Sequence, residues 1–169
     1  MKKFIVVMLG LVLTVLFLST AFAEIRTDYL TVSATLVPSC TVSATPVNFG
    51  DTGGADNVHA NGTVTVNCDS GTTYDIGLNE GLHPYMTFRH LANSGNTEWV
   101  TYDLCTSSTD CLQNIWGNSC TTASYTVGYC VSGTGTGSNQ VYPVYGMLHS
   151  FYSVPAGTYT DTVTVELVY

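Results

Sequence analysis

The strongest constraint on the fold is an alternation of apolar and polar side chains over residues 159–169. Five apolar residues share one parity, and three threonines and Glu166 occupy the other. These apolar residues are Tyr159, Val163, Val165, Leu167 and Tyr169. Because successive side chains of a strand point to opposite faces, the pattern predicts a β-strand with one buried face. An apolar edge strand needs a second strand to cover it, so we expect a fold built from sheets.

The same two-residue period recurs along residues 24–169, which show no sustained helical period. Thr, Val and Tyr, which favour strands, are abundant, and Gly, Asn, Asp and Ser mark turns between them. The pattern predicts strands at 30–37, 40–44, 63–68, 74–78, 100–105, 125–129, 141–148 and 159–169. This spacing predicts an all-β fold, a β-sandwich of one domain.

A second alternating stretch lies near the start, in Leu30-Thr-Val-Ser-Ala-Thr-Leu36. Its apolar members are Leu30, Val32, Ala34 and Leu36. Pro38 ends the stretch, and a separate strand pattern begins at Cys40. The stretch could be the first strand of the chain's own sheet, or a strand meant for another molecule. The residues alone leave both interpretations open.

The first residues are typical of a secretory signal peptide. Lys2 and Lys3 precede an apolar run over 4–18, and Ala21-Phe-Ala23 forms the expected cleavage site. The run is shorter than the roughly 20 residues of a membrane span; an uncleaved anchor is the alternative. We expect a secreted product, organised as a signal peptide at 1–23, an N-terminal extension at 24–37 and a domain at 38–169.

Removal of the signal peptide leaves a strongly acidic chain. Arg26 and Arg89 are then the only strong bases against 12 Asp and Glu residues, which gives a net charge of −10. A surface of this sign argues against nucleic acid or an anionic membrane as a partner.

Six cysteines follow the predicted cleavage site: Cys40, Cys68, Cys105, Cys111, Cys120 and Cys130. An even number in a secreted β protein indicates disulfides, although six cysteines allow 15 pairings. Cys40 shares a parity with Val42, and Cys68 shares one with Val64 and Val66, so a Cys40–Cys68 core bridge is favoured if their strands face each other. Cys105–Cys111 and Cys120–Cys130 would be local bridges. A zinc site is the alternative, but no CxxC pair occurs, and we predict no metal.

No catalytic constellation stands out. The four histidines, at 59, 83, 90 and 149, are scattered, and neither GxSxG nor HExxH occurs. Asp75 has the outward parity of its strand, and Asp161 follows a turn, where a hydrogen-bonded turn carboxylate is expected. Trp99, Trp116 and the tyrosines could form a sugar platform, although core packing explains most of them. We predict neither enzymatic activity nor a cofactor.

Several motifs together resemble the spore coat protein U domain, a family of secreted pilins of archaic chaperone–usher pili. They are Cys40-Thr-Val, VNFGDT at 47–52, GTVTVNC at 62–68, YDIGLNEG at 74–81, VTYDL at 100–104, WG at 116–117, VYG at 144–146 and PAGTYTDTVTVELVY at 155–169. They occur in the family's order over nearly all of 24–169. The cysteine pair and the GTYTDTVTV stretch are the most specific of them.

The resemblance implies an incomplete immunoglobulin-like sandwich that lacks its last strand. A periplasmic chaperone lends a strand first, and the N-terminal extension of the next subunit replaces it as an outer-membrane usher assembles the fibre. On this basis the stretch at 30–36 is a donor strand, and the stretch at 159–169 is the acceptor edge. The implied product is a cell-surface pilus that serves adhesion or biofilm formation.

The chain departs from the family pattern in its four later cysteines, because many members carry only the first pair. These residues leave the role of the subunit open, including that of a minor subunit or a matrix protein. The alternative to a pilin is a monomeric secreted coat, matrix or carbohydrate-binding module that folds its own N-terminal strand into the groove.

Overall fold

The computed structural model of the chain describes residues 23–55, 57–86, 88–120, 128–149 and 154–169. Contacts between Cα atoms divide the chain into two units, Met1–Leu36 and Val37–Tyr169. Nearly all of the predicted signal peptide, residues 1–22, lies outside the described residues. The rest of the first unit, residues 23–36, forms neither strand nor helix.

The second unit consists of β-strands joined by turns and loops. The strands are β1 Cys40–Thr45, β2 Val58–Cys68, β3 Thr73–Leu78, β4 Arg89–Ala92, β5 Trp99–Cys105, β6 Trp116–Ser119, β7 Val131–Thr134, β8 Gln140–Leu148 and β9 Val165–Val168. No helix occurs in the part of the chain that the structure describes, and therefore none that is long and apolar enough to cross a membrane. The predicted all-β class is confirmed.

Two antiparallel sheets form the sandwich. One sheet has five strands in the order β1-β2-β8-β5-β4, and the other has three in the order β7-β3-β9. The longest pairing joins β2 to β8 and runs from Val58 opposite Leu148 to Val66 opposite Gln140. Neighbours that are distant in sequence, such as β2 and β8, make this a fold of long-range contacts rather than a series of hairpins.

The core lies between the sheets and is filled by alternate residues of their strands. Val64, Val66 and Cys68 on β2 are buried, whereas the residues between them are half-buried. Trp116 in β6 is 1% exposed, and its Nε1–H donates to the Ile76 carbonyl at 2.9 Å. Each fully buried aliphatic side chain contributes roughly 1.5–3 kcal/mol to stability. The period of two in the sequence therefore corresponds directly to the buried face.

Most predicted strands have counterparts in the structure. The predictions at 40–44, 63–68, 74–78, 100–105 and 141–148 correspond to β1, β2, β3, β5 and β8. The prediction at 125–129 falls largely on residues 125–127, which lie outside the described residues. The stretch at 30–37 forms no strand within this chain. The strands β4, β6 and β7 were not predicted, because each has only four residues and none shows a long alternation.

The prediction of one continuous strand over 159–169 is wrong in extent. Only Val165–Val168 is a strand, paired with β3. Thr160 instead forms an isolated bridge with Ala92 of β4, in the other sheet. The chain therefore passes from one sheet to the other between residues 160 and 165. Alternation alone cannot reveal a change of sheet, because the same face stays inward.

The unpredicted strand β4 carries a buried arginine. Arg89 is fully buried and donates hydrogen bonds to the carbonyls of Leu78, Asn79 and Trp116 at 2.7–2.9 Å. Burial lowers the pKa of Arg89 from its ordinary value, because the charged form loses hydration. β4 was not predicted because it is short and begins with a charged residue. In the fold it links β4 to the end of β3 and to β6.

The six cysteines form three disulfides: Cys40–Cys68, Cys105–Cys111 and Cys120–Cys130. These are the pairs that parity and spacing favour. The first joins β1 to β2, where Cys40 lies directly opposite Cys68 in the register. It closes a loop of 28 residues, and in the chain-entropy model a loop of that size contributes roughly 3–4 kcal/mol.

Candidate functional site: an open groove between β1 and β9

One edge of β9 has no strand beside it among the residues that the structure describes. β9 pairs only with β3, the middle strand of its sheet. The Asn79 N–H donates to the Thr164 carbonyl at 3.1 Å. Because backbone groups alternate in direction along an antiparallel strand, Val165 and Leu167 point their N–H and C=O groups to the free edge. No strand of the described ranges pairs with these groups.

The side chains of the same residues point into the sandwich. Leu167 lies opposite Ile76, and Val165 lies opposite Leu78, in the β3–β9 register. Both β3 residues are at most 2% exposed, whereas Val163, Val165 and Leu167 are only partly buried against the core. The predicted inward face of the acceptor edge is therefore incompletely covered.

The strand β1, in the other sheet, also has inward apolar side chains that are incompletely covered. Val42 lies opposite Val66, and Ala44 lies opposite Val64, so each pair shares the inward face. Val66 is completely buried, but Val42 is 38% exposed and Ala44 is also exposed. These inward apolar side chains are therefore not covered by the residues that the structure describes.

The two incomplete edges face one another. β1 is the edge of the five-stranded sheet, β9 is the edge of the three-stranded sheet, and the two strands lie close together. We call the space between them the open groove, with walls formed by Val42 and Ala44 on one side and by Val163, Val165 and Leu167 on the other. Its apolar walls and unpaired backbone suit an extended segment rather than a small polar ligand.

A cleft of about 800 Å³ continues the open groove past the end of β1. It lies between the loop 46–54, which follows β1, and residues 154–161, which precede β9. Leu91, Val100 and Leu148 contribute its apolar lining. Tyr159, one of the predicted acceptor residues, lines this cleft, and its hydroxyl donates to the Pro155 carbonyl at 2.8 Å.

The chain entering β9 is anchored by the carboxylate of Asp161. The backbone N–H groups of Leu82 and Thr162 each donate to its Oδ1 at 2.8 Å, and the Tyr102 hydroxyl donates to its Oδ2 at 2.6 Å. Burial, together with this hydrogen bond, raises the pKa of Tyr102 above its ordinary value. His83 Nδ1 lies 3.3 Å from Oδ1. Asp161 is therefore a hydrogen-bonded turn carboxylate that holds the chain before β9 against Leu82 and Tyr102.

The apolar residues of the N-terminal stretch are all exposed. Leu30 and Leu36 are 90% exposed, Val32 is 85% exposed, and Ala34 is in the exposed class. At the other end of the chain Tyr169, the last predicted acceptor residue, follows β9 and is 58% exposed. An alternating apolar segment with no cover of its own is unusual in a soluble protein.

The remaining sequence candidates that the structure describes have separate structural surroundings. Trp116 is a core residue, while Trp99 is 49% exposed and donates its Nε1–H to Asn96. His149 Nε2 lies 2.7 Å from Oδ2 of the buried Asp103, a pairing that the sequence gives no means of finding. Across the described ranges, no three side chains of His, Cys, Asp or Glu are placed to hold a metal ion.

The second wall of the open groove was not identified from the sequence, although a signal was present. Val42 and Ala44 continue the parity of Cys40, which was expected to point inward. What the sequence lacks is the information that no strand of the described domain lies over them.

A family model decides the classification. The Spore Coat Protein U domain matches residues 26–166. The chain belongs to the Spore Coat Protein U domain family. The match includes the N-terminal stretch, the three disulfides and β9 up to Glu166.

Two relatives illustrate this membership. Protein U of Myxococcus xanthus is 29% identical over 114 residues, which are 64% of this chain and 59% of that protein. A chain in the crystal structure of the CsuC–CsuE chaperone–tip adhesion subunit pre-assembly complex, from archaic chaperone-usher Csu pili of Acinetobacter baumannii, matches with a TM-score of 0.57 and 25% identity. That match covers 80% of this chain and 40% of the other. The chain therefore spans about half the length of these relatives.

Proposed function

We propose that this protein is a structural, non-enzymatic subunit of a chaperone–usher pilus on the cell surface. Residues 30–36 of one copy fill the open groove of the next, and a periplasmic chaperone fills it beforehand. The observation that carries the proposal is the coexistence of an incomplete sandwich and an exposed alternating segment in one chain. Membership of the family and similarity to a pre-assembly complex of Csu pili support it.

The groove and the segment have complementary chemistry. Unpaired backbone groups and exposed apolar walls are both costly in water. An inserted strand supplies main-chain hydrogen bonds to Val165 and Leu167, and its alternate side chains fill the space between the walls. Leu30, Val32 and Leu36 would each contribute roughly 1.5–3 kcal/mol on burial, and Ala34 would contribute less.

The topology favours donation between copies over self-completion. Cys40, the first residue of β1, pairs with Cys68, the last residue of β2, and a short turn connects Cys68 to the start of β3. The start of β3 pairs with the last residues of β9, so Cys40 and the C-terminal residues of β9 lie at the same end of the sandwich. Residues 30–36 of the same chain join β1 through 37–39, so within their own groove they would run parallel to β9. A neighbour's segment is free to run antiparallel, and antiparallel pairing is slightly more stable per residue.

Donation from each copy to the next gives an open fibre. The donor and acceptor surfaces differ, so the contact is heterologous, and such contacts produce filaments when they do not close into rings. The proposal places the subunit on the route from the periplasm through an outer-membrane usher to the cell surface. Similarity to a chain of a complex that contains a tip adhesion subunit supports a role of the fibre in adhesion or biofilm formation.

The competing function is a monomeric secreted coat or matrix protein that folds its own segment 30–36 into the groove. The relative named Protein U and the two additional disulfides motivate this alternative. It predicts a stable monomer that needs no chaperone.

Co-expression with a periplasmic chaperone of the chaperone–usher class separates the two functions. We expect a one-to-one complex with the chaperone, and a ladder of oligomers in unboiled SDS gels once the chaperone is displaced. The matched control lacks residues 24–37 and should bind the chaperone without forming the ladder. A wild-type chain that is stable, monomeric and indifferent to the chaperone would overturn the proposal.

A further inference from the structure

The connection between the proposed donor strand and its own domain is tied down almost at once. The Ser39 N–H donates to Asp69 Oδ2 at 2.9 Å, and the Asp69 N–H donates to the Ser39 carbonyl at 3.0 Å. The next residue, Cys40, is bonded to Cys68. The chain is therefore fixed to its own domain at Ser39 and Cys40.

Only two residues remain between the donor strand and this fixed point. They are Val37 and Pro38, which separate Leu36 from Ser39. Three residue steps span at most about 11 Å, and the proline ring restricts the backbone further. Two consecutive domains joined in this way must touch, because the connection is far shorter than a domain.

The direction of the donor strand determines which end of the acceptor domain the neighbouring domain contacts. A donor that runs antiparallel to β9 has its last residue, Leu36, near the residues that precede β9. Asp161 lies there, and it is hydrogen-bonded to the backbone of Leu82. The loop that begins at Leu82 therefore borders the point where the neighbouring domain is attached.

This loop exposes a cluster of large apolar side chains. We call residues 82–86 and 88 the apolar hairpin. Its exposed members are Leu82 at 68%, Tyr85 at 65%, Met86 at 79% and Phe88 at 45%. Soluble proteins rarely expose several large apolar side chains together unless these side chains contact a partner.

Contacts within the hairpin and with β4 hold its conformation. The exposure of its apolar side chains is therefore a feature of the folded structure. The backbones of Tyr85 and Phe88 exchange two hydrogen bonds of 3.1 Å. The Tyr85 ring packs edge-on against His90 of β4, with centroids 6.2 Å apart. Met86 has a φ of 55°, a left-handed conformation that is uncommon for residues other than Gly, Asn or Asp.

We propose that the apolar hairpin is a second contact between consecutive subunits, packed against the end of the neighbouring copy that carries Ser39 and the turn 69–72. The occupant is a second copy of this chain, because the two-residue connection brings that end of the next domain to the hairpin. The contact restricts bending of the fibre at each joint. This inference rests on the proposed donor-strand assembly.

Engineered cysteines test the contact in the assembled polymer. Met86→Cys is combined with Ser70→Cys, which lies in the exposed turn 69–72, and the polymer is treated with a mild thiol oxidant. After boiling without reductant, donated strands dissociate and only disulfide-linked subunits remain together. We expect a covalent ladder from the double variant, and monomers from each single variant and from the control pair Val141→Cys with Ser70→Cys.

Monomers from the Met86→Cys, Ser70→Cys polymer, or an equal ladder from the control pair, would overturn the proposal. A hairpin that faces solvent or another surface gives the first of these results. Failure of the donor-strand assembly is a separate result, because the wild-type chain would then form no polymer in unboiled gels. The two failures are therefore distinguishable in one experiment.

Discussion

The two alternating segments of this chain have nearly the same pattern and opposite surroundings. Residues 163–169 include β9, whose inward side chains pack partly against the core and whose backbone pairs with β3. Residues 30–36 form no strand, and their apolar side chains are 85–90% exposed at Leu30, Val32 and Leu36. A period of two therefore specifies that a segment can be a strand, but it does not specify which molecule supplies the neighbouring strand.

The two segments differ in how many of their backbone edges are paired, and not in their pattern of residues. Among the described residues, β9 is paired on one edge only, and the N-terminal segment is paired on neither edge. In the proposed assembly, the N-terminal segment of one copy would complete a layer over Val42, Val165 and Leu167 of the next. Substitutions in one segment should therefore have effects that differ from those of the same substitutions in the other.

The largest effect is expected from a charge in the acceptor. Val165→Asp places a carboxylate in the apolar wall of the open groove, and burying it without a partner costs several kcal/mol. Chaperone capture and polymerisation should both be lost, as measured by the yield of the chaperone complex. Glu166→Ala, on the outward face of the same strand, is the matched control and should be nearly silent. Equal effects at the two positions would show that the face assignment is wrong.

The same charge in the donor should have a narrower effect. Val32→Asp should abolish polymer growth but leave chaperone capture intact, because the chaperone supplies its own strand. Thr31→Asp, with the opposite parity, should be tolerated better. The readouts are the unboiled SDS ladder and the yield of the chaperone complex for each variant. Loss of the chaperone complex with Val32→Asp would favour a self-completed monomer instead.

Removal of the core disulfide should weaken the domain as a whole. Cys40→Ser should lower the free energy of unfolding by roughly 3–4 kcal/mol in the chain-entropy model, measured by urea denaturation of the subunit in the Val32→Asp background, in which we expect no polymer. Cys105→Ser, which opens a loop of only 6 residues, should have a smaller effect. A larger loss from Cys105→Ser would show that the local bridge, not the core bridge, holds the fold.

The smallest expected effect lies on β3, away from both walls. The hydroxyls of Tyr74 and Tyr142 lie 2.7 Å apart. Burial is the main cause that raises the pKa of Tyr74 to about 12, and this hydrogen bond is the second. Because the folded pKa is raised, its stabilising contribution is complete below about pH 10 and is lost as pH rises towards 12. Tyr74→Phe should reduce this alkaline loss, measured as the shift of the urea midpoint with pH. An unchanged loss would assign it to other groups.

The predictable parts of the structure were those decided by local patterns. Parity in Cys40 and Cys68 was enough to favour their bridge, and alternation located β2, β3, β5 and β8. The crossing at Thr160 was not predictable, because it depends on a partner, Ala92, that is distant in the sequence. Strand β4 was missed because Arg89 looks solvent-exposed until the carbonyls that bind it are known.

The candidate site divides in the same way. The inward residues of β9 were identified from their parity, whereas Val42 and Ala44 became visible as a wall only through their exposure in the folded domain. An empty space between two sheets is a property of tertiary packing, and no pattern in β1 alone encodes it.

A synthetic peptide of residues 24–37 tests the central claim most directly. The chaperone complex of the Val32→Asp subunit, which accepts a strand but does not donate one, is incubated with the peptide. We expect the wild-type peptide and a Thr31→Asp peptide to displace the chaperone and form a one-to-one complex that survives SDS without boiling. A Val32→Asp peptide should fail to do so. No capture of the wild-type peptide, or equal capture of all three, would contradict the account.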